Sequence, residues 1–294
     1  MMMDGQRTPF QAYRYLLPAL VLEAGFVFAP LALSLYYSVH RVRYYQLGDF
    51  NGLQNYIDIL SHRLFLNSFL VTCSFSLMAL ALTFATGFGL ALFLNRDTSG
   101  SILLRTVVLL PYVIAMLVGS MLLKWIFSTD AGLVPLAAAW FHVTSPTILA
   151  DPDYAMAAMV ANGIWRDSAF AMVMLLAGLR SIPPNLIQAA RIDGAGTFMI
   201  FRRIMLPLLR PTILITLIRL LLHFANVLTF PLILTGGGPN NATETLALRI
   251  FRIGFEDFDL GKANAMAIVL CLFNMAAVVL LLAVFRKTRG GQTL

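Results

Sequence analysis

Three polar side chains fall within one apolar stretch of the sequence, at residues 208–234. Arg219, His223 and Asn226 are spaced four and three residues apart, which places all three on one face of a helix. An arginine at the centre of a membrane-spanning helix costs about 3 kcal/mol even on lenient insertion scales, so such residues face protein or water rather than lipid. The spacing therefore predicts a helix whose polar face lines an aqueous path or meets a buried carboxylate.

Two roles are open for this polar face. Arg219 could be the structural ion-pair partner of Glu23 or Asp167, because buried charges usually pair. Alternatively, the face could offer hydrogen bonds to a hydroxylated solute, together with amide side chains from two other apolar stretches. The residues of this second hypothesis are Asn162, Arg219, His223, Asn226 and Asn274.

The sequence contains no motif typical of a catalytic or cofactor site. The glycine-rich segment at residues 236–239 lacks the Gly-Lys-Ser/Thr ending of a phosphate-binding loop. Gly194 and Gly196 match the start of the G-x-G-x-x-G fingerprint of dinucleotide-binding proteins, but Met199 replaces its third glycine. The sequence has no zinc-protease motif, no nucleophile-elbow motif and no metal-spaced group of histidines and cysteines. We therefore expect no catalytic residues, no metal and no cofactor in this chain, and we expect it not to be an enzyme.

The composition is that of an integral membrane protein. Of the 294 residues, 59% are hydrophobic and only 12% are charged, and the mean hydropathy is +0.81. No stretch shows the alternation of a membrane β-barrel, which leaves helices as the structures that cross the bilayer. The net charge of +7 does not predict nucleic-acid binding, because the basic residues cluster beside apolar stretches. The predicted fold class is therefore all-α.

Six apolar stretches are long enough to cross a membrane, for which about 20 residues are needed. We therefore predict a polytopic membrane protein with a single transmembrane domain over residues 1–294. The predicted spans are residues 15–39, 64–94, 102–127, 154–179, 208–234 and 263–285. Basic residues concentrate on the side of the segment between the fourth and fifth spans, so the positive-inside rule predicts that both termini are cytoplasmic.

Single residues within and beside the spans add finer expectations. Glu23 in the first span should face inward, because an unpaired carboxylate in lipid is costly. Gly87 and Gly89 would let a neighbouring helix approach closely. Pro111 should kink the third span, and residues 133–141 should form a short helix on the membrane surface.

A polar segment at residues 181–206 separates the fourth and fifth spans. Pro183 and Pro184 suit the first positions of a helix, where a missing amide proton costs nothing. Asp193 and Gly194 form the predicted break, in which Asp193 caps the next helix or accepts backbone amides and Gly194 tolerates a positive φ. A helical pattern resumes at Thr197, so the segment predicts two short helices joined by a turn.

This segment resembles the EAA loop of permease subunits of binding-protein-dependent ABC importers. The family pattern runs E-A-A, three residues, G, and about nine more to I-x-L-P; its counterparts here are Gln188-Ala189-Ala190, Gly194 and residues 204–207. Gln188 replaces the acidic residue, which removes its charge but keeps a hydrogen-bond acceptor. The resemblance implies that the loop docks on a cytoplasmic ATPase, whereas the alternative is a plain amphipathic loop on the lipid headgroups. The residues implied in coupling are Gln188, Ala189, Ala190, Asp193, Gly194, Phe198, Leu206 and Pro207.

Residues 234–248 and 255–267 resemble the carbohydrate-type branch of these permeases, which includes carriers of maltose, trehalose and glycerol phosphate. The resemblance covers most of the chain from about Gly52 onward. Relatives usually have a small or amide residue where His223 and Asn226 fall, so the resemblance supports Asn226 as a solute contact more than His223. It implies a second permease subunit, two ATPase subunits that bind ATP and magnesium, an external solute-binding protein, and an inner-membrane location in a prokaryote. A stand-alone secondary transporter of a small polar solute is the alternative, although such proteins more often have repeated halves.

Overall fold

The computed structural model describes residues 9–96, 98–129, 132–144 and 147–287, with side chains described from residue 16 to residue 286 within these ranges. Both termini, and with them the predicted cytoplasmic ends, lie outside the described residues. The helices are α1 (Pro9–Glu23), α2 (Ala29–Ser38), α3 (Gln54–Ser61), α4 (Arg63–Phe93), α5 (Ser99–Val113), α6 (Met116–Ile126), α7 (Leu133–Trp140), α8 (Pro152–Arg180), α9 (Pro184–Ile192), α10 (Thr197–Ile200), α11 (Leu206–Asn226), α12 (Leu246–Phe251) and α13 (Leu260–Lys287). Two strands, β1 (His40–Arg43) and β2 (Gln46–Phe50), lie between α2 and α3, and π-helical turns occupy Ala24–Phe28, Phe201–Met205, Pro231–Thr235 and Arg252–Glu256.

Four helical stretches of the described chain are long and apolar enough to cross a membrane. They are Leu16–Ser38, Arg63–Phe93, Thr197–Thr235 and Leu260–Arg286. Two further pairs, α5 with α6 and α8 with α9, pass the same test but are bent by 94° and 64°. If each bent pair is one span, the total is six, in agreement with the predicted number.

The chain divides into two compact units. The first comprises residues 1–62 and 250–271, and the second comprises residues 63–249 and 272–294. Helix α13 contributes to both units.

The first unit contains an antiparallel hairpin that the sequence analysis did not predict. In it, β1 pairs with β2 through His40 opposite Phe50 and Arg43 opposite Gln46. Tyr44 and Tyr45 form the two-residue tip, both with positive φ, as the tight turn of such a hairpin requires. All-α therefore describes the membrane-spanning part, and a small β element accompanies it.

Polar contacts connect the elements of the first unit. The side-chain amide of Asn55 donates to the carbonyl oxygens of Ser38 and His40, both at 2.9 Å. Lys262 Nζ lies 2.9 Å from Asp58 Oδ2, and this contact, with a hydrogen bond from Gln54, lowers the pKa of Asp58.

Glu23, which was expected to face inward, is instead exposed on α1.

The second unit is built around a close packing of α4, α8 and α11. Its core includes Phe75 and Ala79 from α4, Leu175 from α8 and Leu220 and Phe224 from α11, all fully buried. These helices are apolar on most of their surface, as expected for spans that also meet lipid.

Small residues set the distance between α4 and α8. A Cβ atom at Gly87 would collide with the Cβ of Ala171 and lie 2.9 Å from the carbonyl oxygen of Ser168. The predicted close approach at Gly87 is therefore confirmed. At Gly89 no helix of the described chain approaches in this way, because an added Cβ would meet none of the described residues within 4 Å.

Two of the predicted continuous spans are interrupted. The third turns by 94° at Ile114 and Ala115, which adopt ψ values of 135° and 132°. Pro111 lies within α5 and does not itself mark the bend, because a helix can continue for some residues beyond a proline before its hydrogen bonds end. The fifth predicted span breaks after Asn226, where Val227 takes an extended conformation. A short helix, α7, is present where the sequence predicted one, and its position on the membrane surface stays a prediction.

Candidate functional site

A buried carboxylate lies at the centre of the polar groups in the second unit. Asp167 on α8 is fully buried, and its two oxygens have different neighbours. Nη1 of Arg166 donates to Oδ1 at 3.0 Å, and Nε2 of His223 on α11 lies 3.2 Å from Oδ2. Because a carboxylate only accepts hydrogen bonds, this second contact is a hydrogen bond when Nε2 carries the proton.

Two guanidinium groups flank an aromatic pair beside this carboxylate. The Cζ atom of Arg219 lies 4.7 Å from the ring centroid of Phe170, and that of Arg166 lies 4.9 Å from the ring centroid of Tyr112. Phe170 and Tyr112 stack with their centroids 6.1 Å apart. These contacts connect α5, α8 and α11 through one continuous row of charged and aromatic side chains, called the arginine–aromatic row below.

Arg219 has no carboxylate partner in the described part of the chain. The predicted pairing with Asp167 is wrong, because Arg166 and His223, and not Arg219, lie within ion-pair distance of that carboxylate. Nη1 of Arg219 is buried and has no hydrogen-bond partner among the described residues. The contact with Phe170 contributes on the order of 1–2 kcal/mol, less than the roughly 3 kcal/mol that an arginine costs within a membrane. The charge of Arg219 is therefore incompletely compensated.

A pair of amide side chains lies one turn beyond His223. Nδ2 of Asn274 on α13 donates to Oδ1 of Asn226 at 3.0 Å, and Nδ2 of Asn226 donates to the carbonyl oxygen of Leu222 at 2.7 Å. Asn226 is exposed at the surface of the chain, whereas Oδ1 of Asn274 is buried without a hydrogen-bond partner among the described residues. The structure thus brings together two of the predicted amides.

Asn162 is enclosed within the same unit. It is 1% exposed, and its Nδ2 donates to Oγ of Ser120 on α6 at 3.0 Å, while its Oδ1 finds no hydrogen-bond partner in the described ranges. On α8 it lies four residues before Arg166, and therefore on the same helical face. It contacts neither of the amides on α11 and α13 by any hydrogen bond that the described residues make.

Helix breaks lie at both ends of these polar groups. Tyr112 is two residues before the bend at Ile114, and Asn226 is the last residue of α11. The π-helical turn Pro231–Thr235 that follows packs against α6. Non-helical backbone at membrane depth is tolerated only where protein or a water-filled cavity surrounds it, and broken helices commonly line solute sites in transporters.

Sequence reasoning missed two members of the arginine–aromatic row. Tyr112 and Phe170 are ordinary aromatic residues of apolar spans, and spacing alone does not distinguish them from packing residues. Arg166 and Asp167 were recognisable, because two adjacent ionisable residues within a span are rare and usually functional.

The predicted two-helix loop is present, and its turn has a defined hydrogen-bond pattern. The turn after α9 contains Gly194, which has a φ of +80° and whose N–H donates to the carbonyl of Arg191. The N–H of Ala195 donates to the carbonyl of Ala190 at 2.9 Å. This pair of bonds with a left-handed glycine is a Schellman motif. Of the two roles expected for Asp193, capping the next helix is wrong, because Gly196 occupies the N-cap of α10. The described residues also donate no backbone amide to its carboxylate.

The loop is anchored at its ends and exposed in its middle. Ile182 is buried, and Ile187, Met205 and Leu206 pack against the core of the second unit. Among the implied coupling residues, Gln188, Ala189, Asp193, Gly194 and Phe198 are exposed, whereas Ala190, Leu206 and Pro207 are partly buried.

Two large apolar side chains project from the exposed part. Ile192 is 86% exposed and Phe198 is 74% exposed. They lie on either side of the Schellman turn, which fixes their relative positions.

Comparison with known proteins identifies the family. Residues 68–290 match the family model described as "Binding-protein-dependent transport system inner membrane component". The chain belongs to this family. The permease is therefore a transmembrane subunit of an ABC importer and a multi-pass protein of a prokaryotic inner membrane, as predicted.

Relatives and solved structures resemble the permease along nearly its whole length. It is 32% identical over 277 residues to the trehalose/maltose transport system permease protein MalF of Thermococcus litoralis, covering 94% of each chain. It is 34% identical over 278 residues to the sn-glycerol-3-phosphate transport system permease protein UgpA of Yersinia pestis, covering 91% of each chain. A chain of a bacterial ABC transporter involved in the import of the acidic polysaccharide alginate has a TM-score of 0.81 at 22% identity, over 95% and 96% of the two chains. This last likeness shows the fold.

Proposed function

We propose that the permease forms half of the translocation path for a sugar or related polyol and that its loop at residues 181–206 couples the path to cytoplasmic ATPase subunits. The observation that carries the coupling role is the exposure of Ile192 and Phe198 on a loop whose ends are anchored in the core. Large apolar side chains held outward by a rigid turn are suited to a pocket on a partner protein. The loop would transmit movement of that partner directly to α8 and α11.

The exposed amide of Asn226 supports a path shared with a second permease subunit. It lies on the polar face of α11, next to Asn274, and at the surface of the chain. A polar surface at membrane depth is unfavourable against lipid, so a second protein surface would enclose it. Asn162, Arg219 and His223 complete the proposed solute-binding set from inside the unit.

The relatives support the solute class and the remaining partners. Two of them are named as permeases for trehalose or maltose and for sn-glycerol 3-phosphate, and one solved neighbour is a complex with a periplasmic protein carrying an alginate pentasaccharide. By analogy, this permease would work with a second, distinct permease, two ATPase subunits and an external solute-binding protein. ATP and magnesium would be bound by the ATPase subunits, and this chain would contribute no cofactor.

The coupling role is tested by removing one exposed apolar side chain. Phe198→Ser should abolish the stimulation of ATP hydrolysis by the solute-loaded binding protein, because the aromatic group that fits the ATPase is lost. The thermal stability of the permease should not change, since Phe198 is 74% exposed. The measurement is ATPase activity of the purified complex in nanodiscs, with and without the loaded binding protein.

Phe141→Ser is the matched control. Phe141 is 78% exposed but follows α7, far along the chain from the loop. It should leave stimulated ATP hydrolysis unchanged. Full stimulation in Phe198→Ser, or equal loss in both variants, would count against docking through this loop.

A further inference from the structure

The arginine–aromatic row contains more positive than negative charge. Arg166 and Arg219 each contribute a guanidinium group, and Asp167 contributes one carboxylate. Asp167 forms ion-pair contacts with Arg166 and His223, and among the described residues it forms none with Arg219. One positive charge of this row therefore stays uncompensated even when His223 is neutral.

The guanidinium of Arg219 packs against an aromatic ring, but one of its nitrogens lacks a hydrogen-bond partner among the described residues. Its Cζ atom lies over the ring of Phe170, 4.7 Å from the centroid, while Nη1 is buried with no acceptor among the described residues. A guanidinium presents paired N–H donors that match the oxygens of a carboxylate or a phosphate. Arg219 thus has the charge and the available donor for an oxyanion.

The surroundings of Arg219 indicate where that oxyanion comes from. Arg219 and Asn226 lie on the same face of α11, seven residues apart, and Asn226 is bonded to Asn274. Amides recognise hydroxyl groups, whereas the guanidinium recognises an anion. A single molecule bound along this face would need hydroxyl groups and an acidic group together.

We propose that the solute carried by this importer bears a carboxylate or phosphate group, and that Arg219 binds that group during passage. The inference rests on the proposed function, because it assumes that the polar face of α11 lines the path. Arg166 also has a buried nitrogen, Nε, without a hydrogen-bond partner among the described residues. Its charge is already paired with Asp167, however, whereas that of Arg219 is not.

The test uses the complete importer with its partner subunits and external binding protein, reconstituted in proteoliposomes. ATP-dependent uptake is measured for three matched pairs of probes: sn-glycerol 3-phosphate and glycerol, trehalose 6-phosphate and trehalose, and digalacturonate and maltose. At least one acidic member should accumulate in preference to its neutral counterpart. The phosphate and uronate pairs distinguish the two kinds of oxyanion.

Substitutions then connect the preference to Arg219. Arg219→Gln should lower uptake of the accepted acidic probe by about 10- to 100-fold, the range expected for losing a charge-assisted hydrogen bond. Arg219→Lys, which keeps the charge but loses the paired donors, should retain part of the uptake. Lys124→Gln, which removes an exposed cation near the end of α6, should leave uptake unchanged.

Several results would overturn the inference. They are uptake of neutral probes only, uptake of none of the six probes, or an equal effect of Arg219→Gln on acidic and neutral probes. If Arg219→Gln does not assemble, an unchanged KM for the acidic probe in an Arg219→Lys importer would overturn the inference instead. An importer that carries neutral probes only, and that still responds to Phe198→Ser, would refute this inference while leaving the proposed function intact.

Discussion

Asp167 is the residue on which the polar interior of the second unit depends. It is fully buried, and it compensates the charge of Arg166 while also meeting the imidazole of His223. A buried pair of this kind adds little net stability, because desolvation offsets much of the attraction. Removing one partner is different, since it leaves the other charge buried and alone.

Asp167→Asn is therefore expected to destabilise the permease strongly. The amide has nearly the same size but cannot neutralise Arg166, and breaking a buried pair typically costs about 3–5 kcal/mol. The apparent unfolding temperature of the purified complex, followed by intrinsic fluorescence, should fall. Asp193→Asn, at an exposed position of the loop, is the control and should have no effect.

The double variant Asp167→Asn with Arg166→Gln separates charge from shape. It removes both charges together, so it should recover part of the stability lost in Asp167→Asn. If the double variant is less stable than either single variant, charge compensation is not the reason for the loss.

At the residue scale, spacing in the sequence predicts which face of a helix a polar side chain lies on, but not which side chain it contacts. The i, i+4 and i+7 positions of Arg219, His223 and Asn226 on one side of a helix were predictable, and the contact between Asn226 and Asn274 joins two predicted residues. The partner of Asp167 was not predictable, because the rotation of α8 about its axis decides whether Arg219 or His223 reaches the carboxylate. That rotation is fixed by packing with α4 and α11, which spacing within one helix does not contain.

At the scale of helices, some glycines lie where two helices pack closely together. An added Cβ at Gly87 would collide with Ala171, and one at Gly163 would lie 2.8 Å from an edge atom of the Phe224 ring. Both positions belong to the packing of α4, α8 and α11. An added Cβ at the neighbouring Gly89 would meet none of the described residues within 4 Å. Of these two glycines of α4, only Gly87 therefore packs against a helix of the described chain.

Gly87→Ala and Gly89→Ala form a matched pair that tests this packing. Gly87→Ala should destabilise the permease by about 1–3 kcal/mol, the typical cost of inserting a methyl group into a filled core. Gly89→Ala should be neutral or slightly stabilising, because alanine favours helices over glycine. Unfolding temperatures of the two purified variants, compared with the wild type, give the measurement.

An equal effect of the two substitutions would contradict the packing seen between α4 and α8. A loss only in Gly89→Ala would indicate that this face of α4 is covered by another subunit in the assembled importer.

Some of these elements could be located from the sequence, and others could not. The loop helices α9 and α10 were predicted, because prolines, a glycine and apolar spacing mark their ends locally. The bend at Ile114 was placed at Pro111 instead, since the position of a bend depends on which neighbouring helix the chain must follow. The hairpin tip at Tyr44 and Tyr45 lacks the Asn-Gly or Asp-Gly pair that usually announces such a turn, so it gave no signal.

For the whole molecule, the number of crossings depends on the two bent helix pairs. Between the hairpin and the loop of α9 and α10 lie α4, the pair α5 and α6, and α8. If all three cross the membrane, the hairpin and the loop are on opposite sides. In that case, the excess of basic residues near the loop predicts that the loop is cytoplasmic and that the hairpin is external.

Accessibility of two engineered cysteines tests this topology. With Cys73 and Cys271 replaced by serine, Gln46→Cys in the hairpin should react with a membrane-impermeant maleimide in intact spheroplasts, because Gln46 is exposed on β2. Thr197→Cys, exposed at the start of α10, should react only after permeabilisation, because an odd number of crossings separates the two positions. Reaction of both cysteines from the same side would mean that an even number of crossings separates them, so that at least one of the three elements does not cross. Reaction of Thr197→Cys alone in intact spheroplasts would reverse the orientation and remove the loop from any cytoplasmic ATPase.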